Sequence, residues 1–127
     1  MDKVKGFDVP VDDMLRASKF YHELFGWEVE RIEGSGGDFH SARTVVVNDQ
    51  GDPVEPGGIN GGFFMRGTNG LTSTFLEIRV SSIDMVLDKV AALGGSVLRD
   101  KSAILDIAFF AVIKDSEGNI VGLWEDR

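Results

Sequence analysis
The stretch from Phe75 to Gly95, Phe-Leu-Glu-Ile-Arg-Val-Ser-Ser-Ile-Asp-Met-Val-Leu-Asp-Lys-Val-Ala-Ala-Leu-Gly-Gly, has an earlier copy in the same chain. Laid without gaps over Gly6 to Gly26, it pairs Phe7 with Leu76, Asp8 with Glu77, Val9 with Ile78, Val11 with Val80, Ala17 with Val86, Tyr21 with Val90, Leu24 with Leu93 and Gly26 with Gly95. A repeat of this kind means two similar half-domains, which constrains the fold more tightly than any local propensity. The 127 residues are too few for two independent domains, so a single domain over 1–127 is expected, with module one at 1–66, a linker at 67–73 and module two at 74–127.

Each copy resolves into the same elements. Val4 to Val11 alternates Phe7, Val9 and Val11 against Gly6, Asp8 and Pro10, the period of a half-buried strand. Asp12 or Asp13 can cap the helix that follows, in which Ala17, Phe20, Tyr21 and Leu24 recur at helical spacing, with Arg16, Lys19 and Glu23 toward solvent and Gly26 at the end. Strands are expected over Trp27–Ile32, Phe39–Asn48 and Ile59–Arg66, joined by a Gly-rich turn at 33–38 and a loop at 48–58. In the second copy a strand over Thr74–Val80 leads into a helix capped by Ser81 or Ser82. Ser81 and Asp84 are spaced as a capping box, and the buried stripe is Ile83, Val86, Val90 and Leu93, ended by Gly94-Gly95. Ser96–Arg99, Asp106–Lys114 and Ile120–Asp126 complete it, the last two flanking an Asp115-Ser116-Glu117-Gly118-Asn119 turn. The order β-α-β-β-β occurs twice, an α+β pattern.

Composition removes several functions. A net charge of -8, with basic residues scattered along the chain, argues against nucleic acid, whose phosphates need a basic face. The absence of cysteine excludes disulfides, thiolate nucleophiles and Cys-based zinc sites. The longest apolar run, Ile107 to Ile113, is too short to span a bilayer and no apolar leader opens the sequence, so no membrane association and a cytoplasmic location are expected.

Two such modules, with F-Y-x-x-x-x-G at Phe20 to Gly26, Gly-Gly at 94 and 95 and D-x-x-G at Asp115 to Gly118, resemble the vicinal oxygen chelate superfamily of glyoxalase I, bleomycin-resistance proteins and extradiol dioxygenases. The resemblance covers nearly the whole chain. It implies the glyoxalase/bleomycin resistance fold: two β-α-β-β-β modules related by a pseudo-two-fold, a curled mixed sheet enclosing a cleft, and completion as a homodimer. It also implies, for enzymes of the superfamily, a divalent metal held by His or Glu on the first and last strand of each module. Carried over residue by residue, those ligand positions fall at Gly6, at Gly61 or Gly62, at Phe75 and at Gly122, none of which offers a donor. No metal or other cofactor is therefore expected.

Alternation places Gly6, Asp8 and Pro10, and Phe75, Glu77 and Arg79, on the face away from the helices. Asp8 and Glu77 form either an acid/base pair, a clamp for a cationic ligand, or a polar wall in which Glu77 pairs with Arg79 or Arg43. Phe64 and Trp124 stand two residues beyond the glycines, as aromatic walls for a ligand or as ordinary core. His40 is a further candidate beside the first turn, whereas His22 belongs to the surface of its helix. The glycines at 34–37 and 57–62 lack the strand-to-helix context of phosphate loops and read as hairpin tips able to act as lids. Three functions are consistent with this. One is metal-independent binding of a cationic or aromatic small molecule, as the resemblance to bleomycin-resistance proteins implies. Another is a lyase or isomerase resembling glyoxalase I that uses Asp8 or Glu77 for proton transfer, or a metal-dependent lyase or dioxygenase with displaced ligands. The last is an interaction module with a closed cleft.

Overall fold
The two copies fold into units built alike, and the computed structural model describes them over residues 1–34 and 37–127. Ser35 and Gly36, in the middle of the expected Gly-rich turn, lie outside the described residues. One unit comprises Gly6–Thr74; the other comprises Phe75–Arg127 together with Met1–Lys5.

In the first unit, β1 (Lys3–Val11, its first three residues belonging to the other unit) is followed by α1 (Met14–Phe25), β2 (Glu28–Arg31), β3 (Phe39–Arg43) and β4 (Gly61–Met65). The strand order is β2-β3-β4-β1, with β1 parallel to β4 and the other pairs antiparallel. Phe7, Val9 and Val11 pack beneath α1 with Ala42 and Phe63, as their alternation requires. The helix begins at Asp13, whose Oδ1 accepts from the Arg16 N–H at 2.9 Å, and stops at Gly26 with φ 74°, a left-handed conformation that glycine adopts without strain. Asp12, the other expected cap, instead pairs with Arg66 at 2.9 Å. The face that α1 buries is Met14, Ala17 and Tyr21, with Tyr21 stacked on Trp27 at 4.8 Å between ring centroids. Phe20 and Leu24, expected in the stripe, are more than half exposed in the described chain, because Trp27 and Phe63 draw the contact line to Tyr21.

The second unit repeats the plan. β5 (Phe75–Arg79), α2 (Ile83–Val90, continued by one 3₁₀ turn over Ala91–Leu93), β6 (Ser96–Ile104), β7 (Ala108–Lys114) and β8 (Ile120–Asp126) pair in the order β6-β7-β8-β5. Here too the first strand is parallel to the last. Ile78 and Val80 pack beneath α2 against Ile83, Ala111 and Leu123. Ser82, not Ser81, caps α2, its Oγ accepting from the Met85 N–H at 3.2 Å, so the Ser81/Asp84 capping box does not form. A second cap comes from afar: the Glu125 carboxylate accepts from the Ile83 N–H at 2.7 Å and from Lys101 Nζ, which also reaches Asp84. The Ile83 N–H first, and then Lys101, hold the Glu125 carboxyl below the usual carboxylate range, while hydrogen bonds to Asp84 and Glu125 raise the Lys101 ammonium.

Most strand ends fall within two residues of expectation, and the larger differences have identifiable causes. β3 ends at Arg43 and does not run on to Asn48, because the Asn60 side-chain oxygen takes the backbone N–H groups of Thr44 and Val45. β6 runs to Ile104 and not Arg99, its polar continuation being held by pairing to β7 and by Lys101. Leu93, placed in the buried stripe, is 75% exposed because the chain tightens to a 3₁₀ turn before Gly94. Among the described residues no helix is long and apolar enough to cross a membrane.

Candidate functional site
The face of the second unit opposite α2 is set by strand register. In the parallel pair β5–β8, Glu77 lies opposite Gly122 and Arg79 opposite Trp124; on the next strand, Val112 and Phe110 face the same two β8 residues. Gly122 contributes only backbone. A Cβ there would stand 3.1 Å from the rings of both Phe110 and Phe75, so the two aromatics close over the glycine. Phe75 is 5% exposed.

Opposite this glycine, Glu77 is the one buried charged residue among the described residues, at 8% exposure. A carboxylate so desolvated requires a counter-charge. Its partner is Lys5, with Nζ 3.8 Å from Oε2, not Arg79 or Arg43. Arg79 turns instead to Asp126, Nε to Oδ2 at 3.3 Å, and Arg43 to Glu28 at 3.9 Å. The Lys5 ammonium also lies 3.7 Å from the centroid of the Trp124 ring, a cation–π contact. Trp124 is itself anchored, its indole N–H donating to Asp126 Oδ1 at 2.9 Å. Lys5, Glu77 and Trp124 therefore form one cluster, and Arg79 and Asp126 hold the indole from the side. Of these five, sequence reasoning singled out Glu77, Arg79 and Trp124 but not Lys5 or Asp126. Nothing in the sequence marks a lysine near the start of a strand as the counter-charge of a buried carboxylate until its ammonium is located.

The first unit presents the corresponding positions. Asp8 lies opposite Gly62 and Pro10 opposite Phe64, the same relation that Glu77 has to Gly122 and Arg79 to Trp124. Gly62, rather than Gly61, is thus the counterpart of Gly122. Gly61 is required for another reason, since a Cβ there would overlap the Phe7 carbonyl oxygen. Asp8 is half-buried and Phe64 is 2% exposed. His40 is not brought to them: it pairs across the ladder with Phe63, on the side of the strands that packs beneath α1, and its Nδ1 lies 3.4 Å from Asp38 Oδ1. His22 is exposed and its Nδ1 sits 3.0 Å from the Trp27 carbonyl oxygen, a helix-end contact.

The donor chemistry of the four positions at which metal-dependent relatives place their ligands does not fit a metal. Gly6, Gly62 and Gly122 offer no side chain and Phe75 only a ring, and a donor built at Gly122 would displace Phe110 and Phe75. Among the described residues no group of three or more His, Cys, Asp or Glu side chains could hold a metal ion.

The duplicated β-α-β-β-β units, each closing its first strand in parallel against its last, define a protein of the glyoxalase/bleomycin resistance fold. The chain belongs to the glyoxalase-like domain family, whose model matches residues 6–123. It is 32% identical over 124 residues to the protein named "Putative glyoxylase CFP32" of Mycobacterium tuberculosis, covering 93% of this chain and 43% of that protein. The chain thus spans less than half the length of the curated relatives it matches. Among solved structures, a glyoxalase/bleomycin resistance protein/dioxygenase superfamily member from Vibrio splendidus superposes with a TM-score of 0.63 at 13% identity, covering 100% of both chains. Streptomyces coelicolor methylmalonyl-CoA epimerase, bound to 2-nitronate-propionyl-CoA, gives 0.65 at 14% identity, covering 97% of this chain and 93% of the other. At those identities the likeness is one of fold.

Proposed function
We propose that this chain binds a small organic molecule without the aid of a metal, on the face that carries Glu77 and Trp124, and that it does so as a homodimer. The observation that carries this reading is the presence of glycine and phenylalanine at the family's ligand positions, with Phe75 and Phe110 closing over Gly122 and the buried Glu77 sharing Lys5 with the Trp124 ring. Aromatic walls around a few convergent polar groups are what a small-molecule site needs. A coenzyme A ester bound by the fold neighbour from Streptomyces coelicolor shows what kind of occupant the fold accommodates elsewhere. The chemistry here favours a ligand with an aromatic or cationic part.

The test is a native mass spectrum of the purified protein under conditions that retain non-covalent ligands, with elemental analysis of the same sample. A dimer mass, no stoichiometric transition metal, and binding of an organic ligand that Glu77→Gln abolishes are the expected results. One tightly held metal per protomer would overturn the reading.

A further inference from the structure
We propose that the Glu77 carboxylate and the Trp124 ring form a cation-binding box, that Lys5 fills it when no ligand is bound, and that its exogenous occupant is an alkylammonium group. The inference rests on the small-molecule reading above and goes further by naming the recognised chemistry and the residue that competes for it.

Three features point to a box and not to an ordinary ion pair. The first is composition: a carboxylate and an indole face around one ammonium are the two groups that stabilise an organic cation, one by charge and one by the ring quadrupole. The second is preorganisation. Trp124 is fixed by its N–H bond to Asp126, whose other oxygen is held by Arg79, and Glu77 rises from the middle of a paired strand beside a glycine. The walls therefore stay in place whether or not Lys5 is there. The third is how loosely Lys5 is held. Its Nζ stands 3.8 Å from Glu77 Oε2, beyond hydrogen-bond range. A four-carbon stem rooted near the start of β1, with its side chain 26% exposed, can swing to water at little cost. Lys5 is thus a tethered surrogate for the ligand's ammonium. It keeps Glu77 compensated in the empty protein and yields to a cation that packs more closely on the indole.

The experiment is isothermal titration calorimetry of the full chain with benzyltrimethylammonium, for wild type, Lys5→Met, Lys5→Gln, Glu77→Gln and the Lys5→Met/Glu77→Gln pair, each first checked for folding by circular dichroism. Removing the competitor should tighten binding about tenfold in Lys5→Met, the scale of one well-desolvated cation–π contact. Lys5→Gln, which also lacks the charge, should reproduce the gain, and Glu77→Gln should cancel it. Binding to Lys5→Met or Lys5→Gln no tighter than to wild type would overturn the box, as would a gain that survives Glu77→Gln. If the box fails while an organic ligand still co-purifies in a Glu77-dependent way, the small-molecule reading stands without it. If no ligand is retained and a metal is found, it is the reading that has failed.

Discussion
Two adjacent glycines on β4 make opposite predictions, and the difference is large enough to measure. A Cβ on Gly61 would overlap the Phe7 carbonyl oxygen and stand 2.6 Å from two atoms of the Phe7 ring. The first of these is backbone in the neighbouring strand, so relief requires β1 and β4 to move apart. A Cβ on Gly62 would meet the His40 carbonyl oxygen at 3.3 Å and Asp8 Oδ1 at 3.4 Å, contacts that a shift of a few tenths of an ångström relieves. Overpacking that moves backbone costs about 2–3 kcal/mol. Replacing glycine by alanine returns about 0.4–1 kcal/mol by restricting the unfolded chain. Gly61→Ala should therefore lose about 2 kcal/mol, and Gly62→Ala should fall within about 0.5 kcal/mol of wild type. In urea, with a slope of about 2 kcal/mol/M, the Gly61→Ala midpoint should drop by about 1 M at unchanged slope. Equal midpoints for the two variants would refute the assignment of Gly62, and not Gly61, as the open position facing Asp8.

Two further outcomes follow from the packing and the charges. Phe63, fully enclosed beneath α1, should cost about 3–5 kcal/mol on truncation to alanine, read as a lower urea midpoint, with α1 the first element to lose hydrogen-exchange protection. Glu125 is depressed below its ordinary value of 4.5 by the Ile83 N–H and then by Lys101, so it stabilises the fold above its unfolded pKa and loses that contribution as the pH falls through its lowered folded value. Glu125→Gln should be less stable than wild type at pH 7, the gap should narrow as acid protonates Glu125, and a gap that widens in acid would contradict the clasp on α2.

Much of the fold is legible in the sequence because the repeat and the punctuation agree. Asp13, Gly26, Ser82 and Gly94 stand where helix ends need a side-chain acceptor or a left-handed residue, and period-two alternation puts Val9 and Ile78 on the buried side. What escaped reading depends on partners remote in the chain. Thr44 to Asn48 is β-branched enough to look like strand, yet Asn60 captures its first N–H groups. Asp100 to Ser102 is polar enough to look like loop, yet Lys101 ties it to Asp84 and Glu125. Phe20 and Leu24 have the right spacing for a core stripe, but a helix has room for only one contact line, and Tyr21 with its stack on Trp27 takes it. In the candidate site, strand position located Glu77 and Trp124 but gave no sign of Lys5. Only the length of a lysine stem, which no periodicity encodes, carries its ammonium to Glu77.

The duplication also shows where the two units differ at matched positions. At matched positions the first unit carries Asp8, Gly62, Pro10 and Phe64, and the second carries Glu77, Gly122, Arg79 and Trp124. The carboxylate and the glycine are retained in both, as a shared backbone geometry demands. The pair beyond them has diverged from Pro and Phe, which can only pack, to Arg and Trp, which can pair with Asp126 and hold a cation. On the proposed metal-independent reading, selectivity comes from whichever half keeps polar groups at low dielectric, where each contact is worth most. That half is the second, where the buried Glu77 stands 3.8 Å from the Lys5 ammonium and that ammonium lies over the Trp124 ring.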